Sequence, residues 1–473
     1  SSRHINVRFV SLSAKIAHLR QTCNGWKRKS DAKGCFPPPK EIALQQIHPL
    51  NHLSMNALFF TLLAACALAS CSPSKKNVPQ ENSEDLVAIQ PATPQVPTSL
   101  VTVDLLKDYP KKDICLQDVA DVSYIVLETT DQSLLHPSEM MMYYVSDSLI
   151  VARTLEDRIV LLDGKGKVKN TFLHKGGGGE EYQAVNKLVA DVERQEIYIS
   201  DYGLLNRIQV YDFEGKYKRT LPLPRQTSVS CFQNFSSECL LVGDDNISHE
   251  TGISKRKRPY FLLSKETGKV VEELPISFHK RVASRAILPS ADRLSAQVMQ
   301  LAYNPVIRYY DGWIIGDVSM DTICTYSPQG KLSPLLCRTP SVYNKETPII
   351  AFPSLMTSGF LILEYFQLKF DFSKPVQGFK TNELVYNYSK GEVYGLNQLT
   401  NRDFSGQSIG FNSAGHIDSP WRNAMFNLIP TERLLDAREE GKLSGPLKDI
   451  AAQMTEEDNP VLMVTRFKDS PSR

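Results

Sequence analysis

Glu196-Ile-Tyr-Ile-Ser-Asp201, then Asn206-Arg-Ile-Gln-Val-Tyr-Asp212, then Gly215-Lys-Tyr217: this stretch decides the fold. Two short runs of β-branched and aromatic residues are parted by a polar turn, and a glycine turn leads into a third run. That is the pattern of consecutive antiparallel strands. The plan recurs at Leu149-Ile-Val-Ala152, Arg158-Ile-Val-Leu-Leu-Asp163 and Gly166-Lys-Val168. It recurs at Glu238-Cys-Leu-Leu-Val-Gly-Asp244, Tyr260-Phe-Leu-Leu263 and Gly268-Lys-Val270, and at Gly312-Trp-Ile-Ile-Gly-Asp317, Thr322-Ile-Cys-Thr-Tyr326 and Gly330-Lys-Leu332. A fifth, more degenerate copy is Phe360-Leu-Ile-Leu363, Leu384-Val-Tyr386 and Gly391-Glu-Val393. The five turn glycines are 49, 53, 62 and 61 residues apart.

A unit of this size makes a four-stranded antiparallel sheet that cannot bury both faces alone, so copies must stack. No helical segment of ten or more residues interrupts the copies, which excludes a βαβ arrangement. The fold read from this is all-β: a six-bladed β-propeller of four-stranded antiparallel blades over residues 113–468. Ser408-Ile-Gly-Phe411 and the terminal run Val461-Leu-Met-Val-Thr-Arg-Phe467 are expected to build the sixth blade. Asp121-Val-Ser-Tyr-Ile-Val-Leu-Glu128 is the natural partner to close the ring. Six blades over 120–468 average about 58 residues, above the roughly 40–50 of common propeller repeats, so long loops are expected. Segment 426–458 is one of them, with helical patterns at Glu432–Arg438 and Pro446–Gln453. Residues 469–473 remain as a C-terminal tail.

The other end of the chain reads as targeting. Met55 is the first methionine, and residues 1–54 are expected to be an upstream segment outside the mature protein. The apolar run Ala57–Ala69 is too short to span a bilayer, which needs about 20 residues, and suits the core of a signal peptide over 55–70. It ends in Leu68-Ala-Ser-Cys71, which resembles the lipobox of bacterial lipoproteins. The resemblance implies cleavage before Cys71 and lipidation of its thiol. Five prolines between Ser72 and Leu100, among Ser, Asn, Gln and Glu, mark a flexible tether, placed at 71–112.

Charge follows this division. Residues 1–54 carry nine Lys/Arg against Asp31 and Glu41. Since 55–70 are uncharged and the whole chain carries +2, the part from Cys71 onward carries −5. An acidic mature protein lacks the basic footprint of a nucleic-acid binder. No two cysteines have C-x-x-C spacing, so neither a zinc site nor a dithiol is implied. Cys231 and Cys239 could pair across a hairpin, although small buried side chains explain the remaining thiols as well.

The second copy of the repeat resembles an NHL-type propeller repeat. Leu127-Glu-Thr-Thr130, Gly176-Gly-Gly-Gly-Glu-Glu-Tyr182 and Asn459-Pro-Val-Leu-Met-Val-Thr-Arg-Phe-Lys468 are similar to the six-bladed β-propeller lipoproteins of Bacteroidota. That resemblance implies a propeller held at the cell envelope, with the outer membrane as the expected site of anchorage. It implies no reaction.

Motifs that suggest chemistry fail on their context. Gly176–Gly179 looks like a phosphate cradle, but G-x-G-x-x-G ends on Glu181 and no G-K-[ST] follows. A crossover turn between blades fits better. Gly406-Gln-Ser408-Ile-Gly410 has the form of a nucleophile elbow, yet no helix follows and no acid lies between Ser408 and the last histidine, His416. His249-Glu250 begins H-E-x-x-H, but Ile253 closes it, and His136, His174, His279 and His416 stand at no metal-ligand spacing. Lys255-Arg-Lys-Arg258 is expected at a solvated loop tip, or against an acidic glycan or phosphate-bearing headgroup.

The function expected is a ligand-binding or protein-interaction module tied to the membrane at Cys71, with a glycan or an envelope protein as partner, no cofactor and no nucleic acid. The alternative is a propeller enzyme of lactonase or lyase type, with a metal at the central channel. Asp201, Asp244 and Asp317 recur at equivalent strand ends and are the candidate ligands for that metal. Their competing role is to cap the turns of the repeat.

Overall fold

The repeat closes on its glycines. Gly166, Gly215, Gly268, Gly330 and Gly391 all have positive φ, between 64° and 87°. At Gly215 the glycine is required twice: for φ of 87°, and because a Cβ there would lie 2.6 Å from the Phe172 side chain of the preceding blade. The third and fourth strands of blades one to three also slip register beside these turns, the mark of a glycine bulge that tightens the twist; in blade four the slip lies deeper in the strand, between Ile323 and Cys324.

The computed structural model describes residues 100–468, apart from 204–205, 248–252, 254–255, 279, 290–295, 310–311, 345, 358, 374–378, 388–389, 412–416 and 422, together with 3–4. It is a six-bladed propeller. Blade one runs from Met142–Val145 through Ile150–Arg153 and Ile159–Leu162 to Val168–Phe172. Blade two is Val185–Asp191, Glu196–Asp201, Arg207–Asp212 and Tyr217–Pro222; blade three is Val229–Asn234, Cys239–Asp244, Tyr260–Ser264 and Val270–Glu273. Blade four is Val306–Tyr309, Gly312–Ile315, Thr322–Tyr326 and Leu332–Thr339; blade five is Ile349–Met356, Phe360–Gln367, Lys380–Asn387 and Glu392–Asn401. A separate hairpin, Arg285–Pro289 with Ala296–Gln300, stands between blades three and four.

The last blade corrects the sequence reading. Its inner strand is Ala424–Ile429, paired with Val461–Phe467, which pairs in turn with Ala120–Val126. Among the described residues it has these three strands rather than four. Phe404–Ser408 instead extends the edge of blade five, with Ser408 opposite Thr400. Helices Thr431–Glu439 and Gly445–Gln453 fill the long connection and bury Leu434, Ala437, Leu447 and Ala451 against blades five and six.

The domain also begins earlier than the sequence indicates. Val101–Asp104 lies parallel to the outer strand of blade four, and Lys111–Cys115 parallel to that of blade five. Residues 101–104 and 111–112, placed in the tether from sequence, therefore belong to the sheets. A strand too short and polar to hold itself is stable once its backbone groups find a sheet edge. Arg3–His4 pair with Thr381 and Lys380 of blade five. Cys71, the signal-peptide segment 55–70 and the rest of the tether up to 99 lie outside the described residues.

Apolar side chains pack between successive blades, and the series closes. Phe426, Leu428, Leu462 and Val464 of blade six meet Met142, Ile150, Val160 and Leu162 of blade one. Asn459, fully buried, fastens the same seam: its amide donates to the carbonyls of Glu128 (2.8 Å) and Ser133 (2.9 Å), and its Oδ1 accepts from the Leu135 N–H (2.7 Å). Leu127–Thr130 and Asn459–Lys468, two of the stretches that carry the family resemblance, thus meet in the clasp of the ring.

Candidate ligand-binding face

In each blade the turn from second to third strand and the connection to the next blade emerge on one face. Asp201, Asp244 and Asp317 all lie there, each buried and in a different blade. Each accepts a hydrogen bond from the N–H two residues on: Gly203 at 2.8 Å, Asn246 at 3.0 Å and Ser319 at 2.8 Å. Asp201 also accepts from the Gln183 N–H (2.9 Å), and Asp244 from the Ser228 N–H (2.9 Å), so each fastens its turn to the start of its own inner strand. This is Asx-type capping. Among the described residues no group of three His, Cys, Asp or Glu side chains is arranged to hold a metal ion.

Asp317 does more than cap. Its Oδ2 takes 2.6 Å bonds from Tyr260 Oη and from Arg281, a guanidinium only 2% exposed that also donates to the Asp244 carbonyl at 2.8 Å. Burial would raise the Asp317 carboxyl, but Arg281 and Tyr260 outweigh it and hold it below its ordinary value. Neighbouring Asp245, 3.3 Å from Arg281, is pushed by burial to about 6, with the guanidinium offsetting part of the shift. Arg281 ties blade three to blade four. Sequence reasoning missed it, because Lys280-Arg-Val-Ala283 has no local signature and its partners lie about 36 residues away.

The other motifs settle into structural roles. The Gly176–Tyr182 crossover is pinned by blade two: Arg207 and Gln209 donate to the carbonyls of Glu181 and Gly179, and Tyr211 to that of Glu180. The Gly178 N–H, which a phosphate would need, bonds the Glu181 carboxylate at 2.7 Å. Ser408 Oγ donates to the Leu399 carbonyl at 3.4 Å. His174 Nε2 bonds the Gly215 carbonyl at 2.6 Å, and its ring stacks on Tyr211. His249, His279, His416 and Lys255 lie outside the described residues. Arg256 is no solvated tip: it pairs with Glu273 at 2.7 Å and lies over the Phe261 ring. Cys231 and Cys239 are both free, as are Cys115, Cys324 and Cys337. A groove of about 480 Å³, lined by Thr130–Gln132 and Val168–Thr171, lies at the outer edge of blade one, away from this face.

Toward the axis the channel is crossed. Residue 418 pairs with Tyr144 of blade one, its N–H donating to the Tyr143 carbonyl and its carbonyl accepting from the Val145 N–H. Arg308, on the inner strand of blade four, lies 3.7 Å from the Asp418 carboxylate. Blades one and four are opposite in a ring of six, so this ion pair spans the channel. It lies toward the end away from the capped turns. On the face of the capped turns, successive blades expose apolar side chains: Leu155 (59%), Tyr202 (64%) and Ile253 (53%), with Ile287, Leu288 and Val298 on the extra hairpin.

The family model for a domain of unknown function (DUF4934) matches residues 100–466. Among solved structures, an exported protein of Bacteroides fragilis NCTC 9343 is 13% identical, with a TM-score of 0.53 over 78% of this chain and 100% of that one. A DUF4221-family member from Bacteroides vulgatus is 11% identical, with a TM-score of 0.45 over 75% of this chain and 100% of that one. At such identity the first likeness speaks for the fold alone. No curated protein matches the chain.

Proposed function

The chain belongs to the DUF4934 family, and from that premise we propose that it is a cell-envelope lipoprotein whose propeller binds a ligand or a partner protein. Cys71 carries the lipid and the segment after it holds the propeller off the membrane. The working surface is the face of the capped turns. What supports this reading is how that face spends its residues: its recurrent acids are consumed by turns and by Arg281, while successive blades expose Leu155, Tyr202 and Ile253. Reactive groups are tied down and contact groups are left open, as a recognition surface requires. The exported protein of Bacteroides fragilis is consistent with an envelope location. Among the described residues no helix is long and apolar enough to cross a membrane.

A glycan array and a panel of purified envelope proteins, probed with the full chain, test the reading. A defined subset should bind, and Tyr202→Ala with Leu155→Asp should abolish that binding. Chemical turnover of a bound lactone or glycan, or binding indifferent to both substitutions, would contradict it. Metabolic labelling with an acyl analogue tests the anchor: label should enter the parent and be absent from Cys71→Ala.

A further inference from the structure

The outer strand of a blade ends its sheet, and this chain treats those edges in different ways. Blades four and five have theirs covered from within: Val101–Asp104 pairs with Leu332–Thr339, and Lys111–Cys115 with Glu392–Asn401. Blades two and three are blunted. The outer strand of blade two ends in Pro222, which lies against the Gly268 turn, and that of blade three is four residues long and ends in Glu272 and Glu273. Proline, short length and charge keep an open edge from pairing. The outer strand of blade one, Val168–Phe172, has no proline and one charged residue, and among the described residues no strand pairs with its free side.

That edge also carries the groove of about 480 Å³. Neighbouring side chains of a strand point to opposite faces, so a groove lined by four successive residues, Val168–Thr171, runs along the edge and not across one face. Its other wall, Thr130–Gln132, is firmly built. Ser133 Oγ lies 2.8 Å from Thr130 Oγ1 and donates to the Glu128 carbonyl at 3.1 Å, and the Asn459 amide grips the Glu128 and Ser133 carbonyls. Two bonds tie this wall to the strand. The Val168 N–H donates to the Glu128 carboxylate at 2.7 Å, so backbone of the strand is turned toward the wall. Thr171 Oγ1 donates to Gln132 Oε1 at 2.9 Å, which leaves the Gln132 amide N–H groups to donate. Asp131 on one wall and Lys169 on the other are both exposed.

Blade five shows what such an edge holds. The strand seated there is polar, and side chains of the outer strand grip it. Lys112 meets Glu392 at 3.1 Å, Asn397 Nδ2 donates to Asp113 at 2.8 Å, and Thr400 Oγ1 donates to the Ile114 carbonyl at 3.4 Å. Blade one offers groups of the same kinds: Asp131 for a lysine, Lys169 for a carboxylate, and the Gln132 amide for backbone. We propose that the outer edge of blade one is a docking site for an extended, polar segment of a partner protein. The segment carries a lysine and a carboxylate and adds a fifth strand beside Val168–Phe172, as Lys111–Cys115 does at blade five. Main-chain bonds to the edge supply the affinity, and Asp131 and Lys169 select the sequence. A wall already fixed spares the cost of ordering it on binding. The site stands apart from the face of the capped turns and does not depend on the reading of that face.

The test probes the full chain with a labelled synthetic peptide of residues 109–116 carrying Cys115→Ser, and with the same peptide carrying Asp113→Pro as a control that cannot pair. Binding is read by fluorescence anisotropy and located by hydrogen exchange. Saturable binding with slowed exchange in Val168–Phe172 is expected, lost with the proline peptide. Gln132→Trp, which fills the groove, should weaken it roughly tenfold or more. Asp131→Lys together with Lys169→Glu should weaken it about threefold at low salt, since exposed charges are each worth little and are screened. This pair, at exposed positions, keeps the test open if Gln132→Trp does not fold. No saturable binding, or binding undiminished in either variant that folds, overturns the proposal. Protection confined to Glu392–Asn401 means that the peptide merely exchanges with the chain's own strand, and overturns it equally. Protection of Val168–Phe172 that grows with protein concentration alone gives the edge to a second copy and overturns it too.

Discussion

Between blades two and three the apolar seam carries a buried ionic clamp, whereas blades four, five and six are bound by strands from the start of the domain. Lys265 of blade three is fully buried and gives its ammonium to Asp191 (2.5 Å), Asn234 (2.7 Å) and the Ser236 carbonyl (2.5 Å). Beside it Arg219 of blade two meets Glu196 at 2.7 and 2.8 Å and donates to the Lys265 carbonyl at 2.8 Å. In the other half, Val101–Asp104 borders blade four, Lys111–Cys115 borders blade five and Ala120–Val126 completes blade six. Regular repeats can carry their own clamps, because each blade has the same turns to mount them on. Blades four and five would leave open outer edges and blade six would lack a strand, and the chain supplies each with a segment from the start of the domain.

The comparison breaks most visibly at the closing blade. Removing residues 459–473 deletes the middle strand of blade six and the Asn459 clasp together. The remaining chain should lose its single cooperative thermal transition; a melting curve matching the parent's would show that the ring does not depend on this closure.

On the ionic side, Lys265→Ala leaves the Asp191 carboxylate buried without its cation and should cost about 3–5 kcal/mol in urea unfolding. Lys265→Met combined with Asp191→Asn should recover much of that loss. If Lys265→Ala is neutral, the seam is held by apolar packing and the contrast between the halves disappears.

Acid sharpens the same seam. Burial would raise the Glu196 carboxyl, but hydrogen bonds from Arg219 and Tyr198 outweigh it and bring it down from 4.5 to about 2. A depressed carboxyl contributes stability above its unfolded value and loses it as pH falls through its folded value. Stability should therefore drop between about pH 4.5 and 2, and Glu196→Gln should flatten that part of the pH profile while lowering stability at neutral pH. An unchanged acid limb in Glu196→Gln would remove this pair from the account.

The smallest effects separate the three recurrent acids. Asp201→Asn keeps an acceptor for the turn and should cost under about 1 kcal/mol by thermal denaturation. Asp317→Asn should cost about 2 kcal/mol or more, because it takes the charge from beside Arg281. Equal effects at both positions would mean that Arg281 draws no support from Asp317.

This difference also explains what was legible beforehand. Five blades could be read because each announces itself locally, with two alternating runs and a glycine that must take positive φ. The inner strand of blade six could not, since Ala424-Met-Phe-Asn-Leu-Ile429 is far along the chain from its partner at 461–467, with two helices between. Val101–Asp104 and Lys111–Cys115 are strands only because an edge receives them. At the candidate site, Asp201 and its equivalents stood out because they recur with the repeat. Arg281 and Lys265 are single basic residues whose significance comes from groups brought together across blades, and no local pattern marks them.

Hydrogen exchange on the full chain and on a chain beginning at Leu116 tests the two-halves account most directly. Without the two edge strands, protection should fall in Leu332–Thr339 and Glu392–Asn401, while Val185–Pro222 and Cys239–Ser264 exchange as before. Uniform loss across all blades, or no loss at the two uncovered edges, would contradict it.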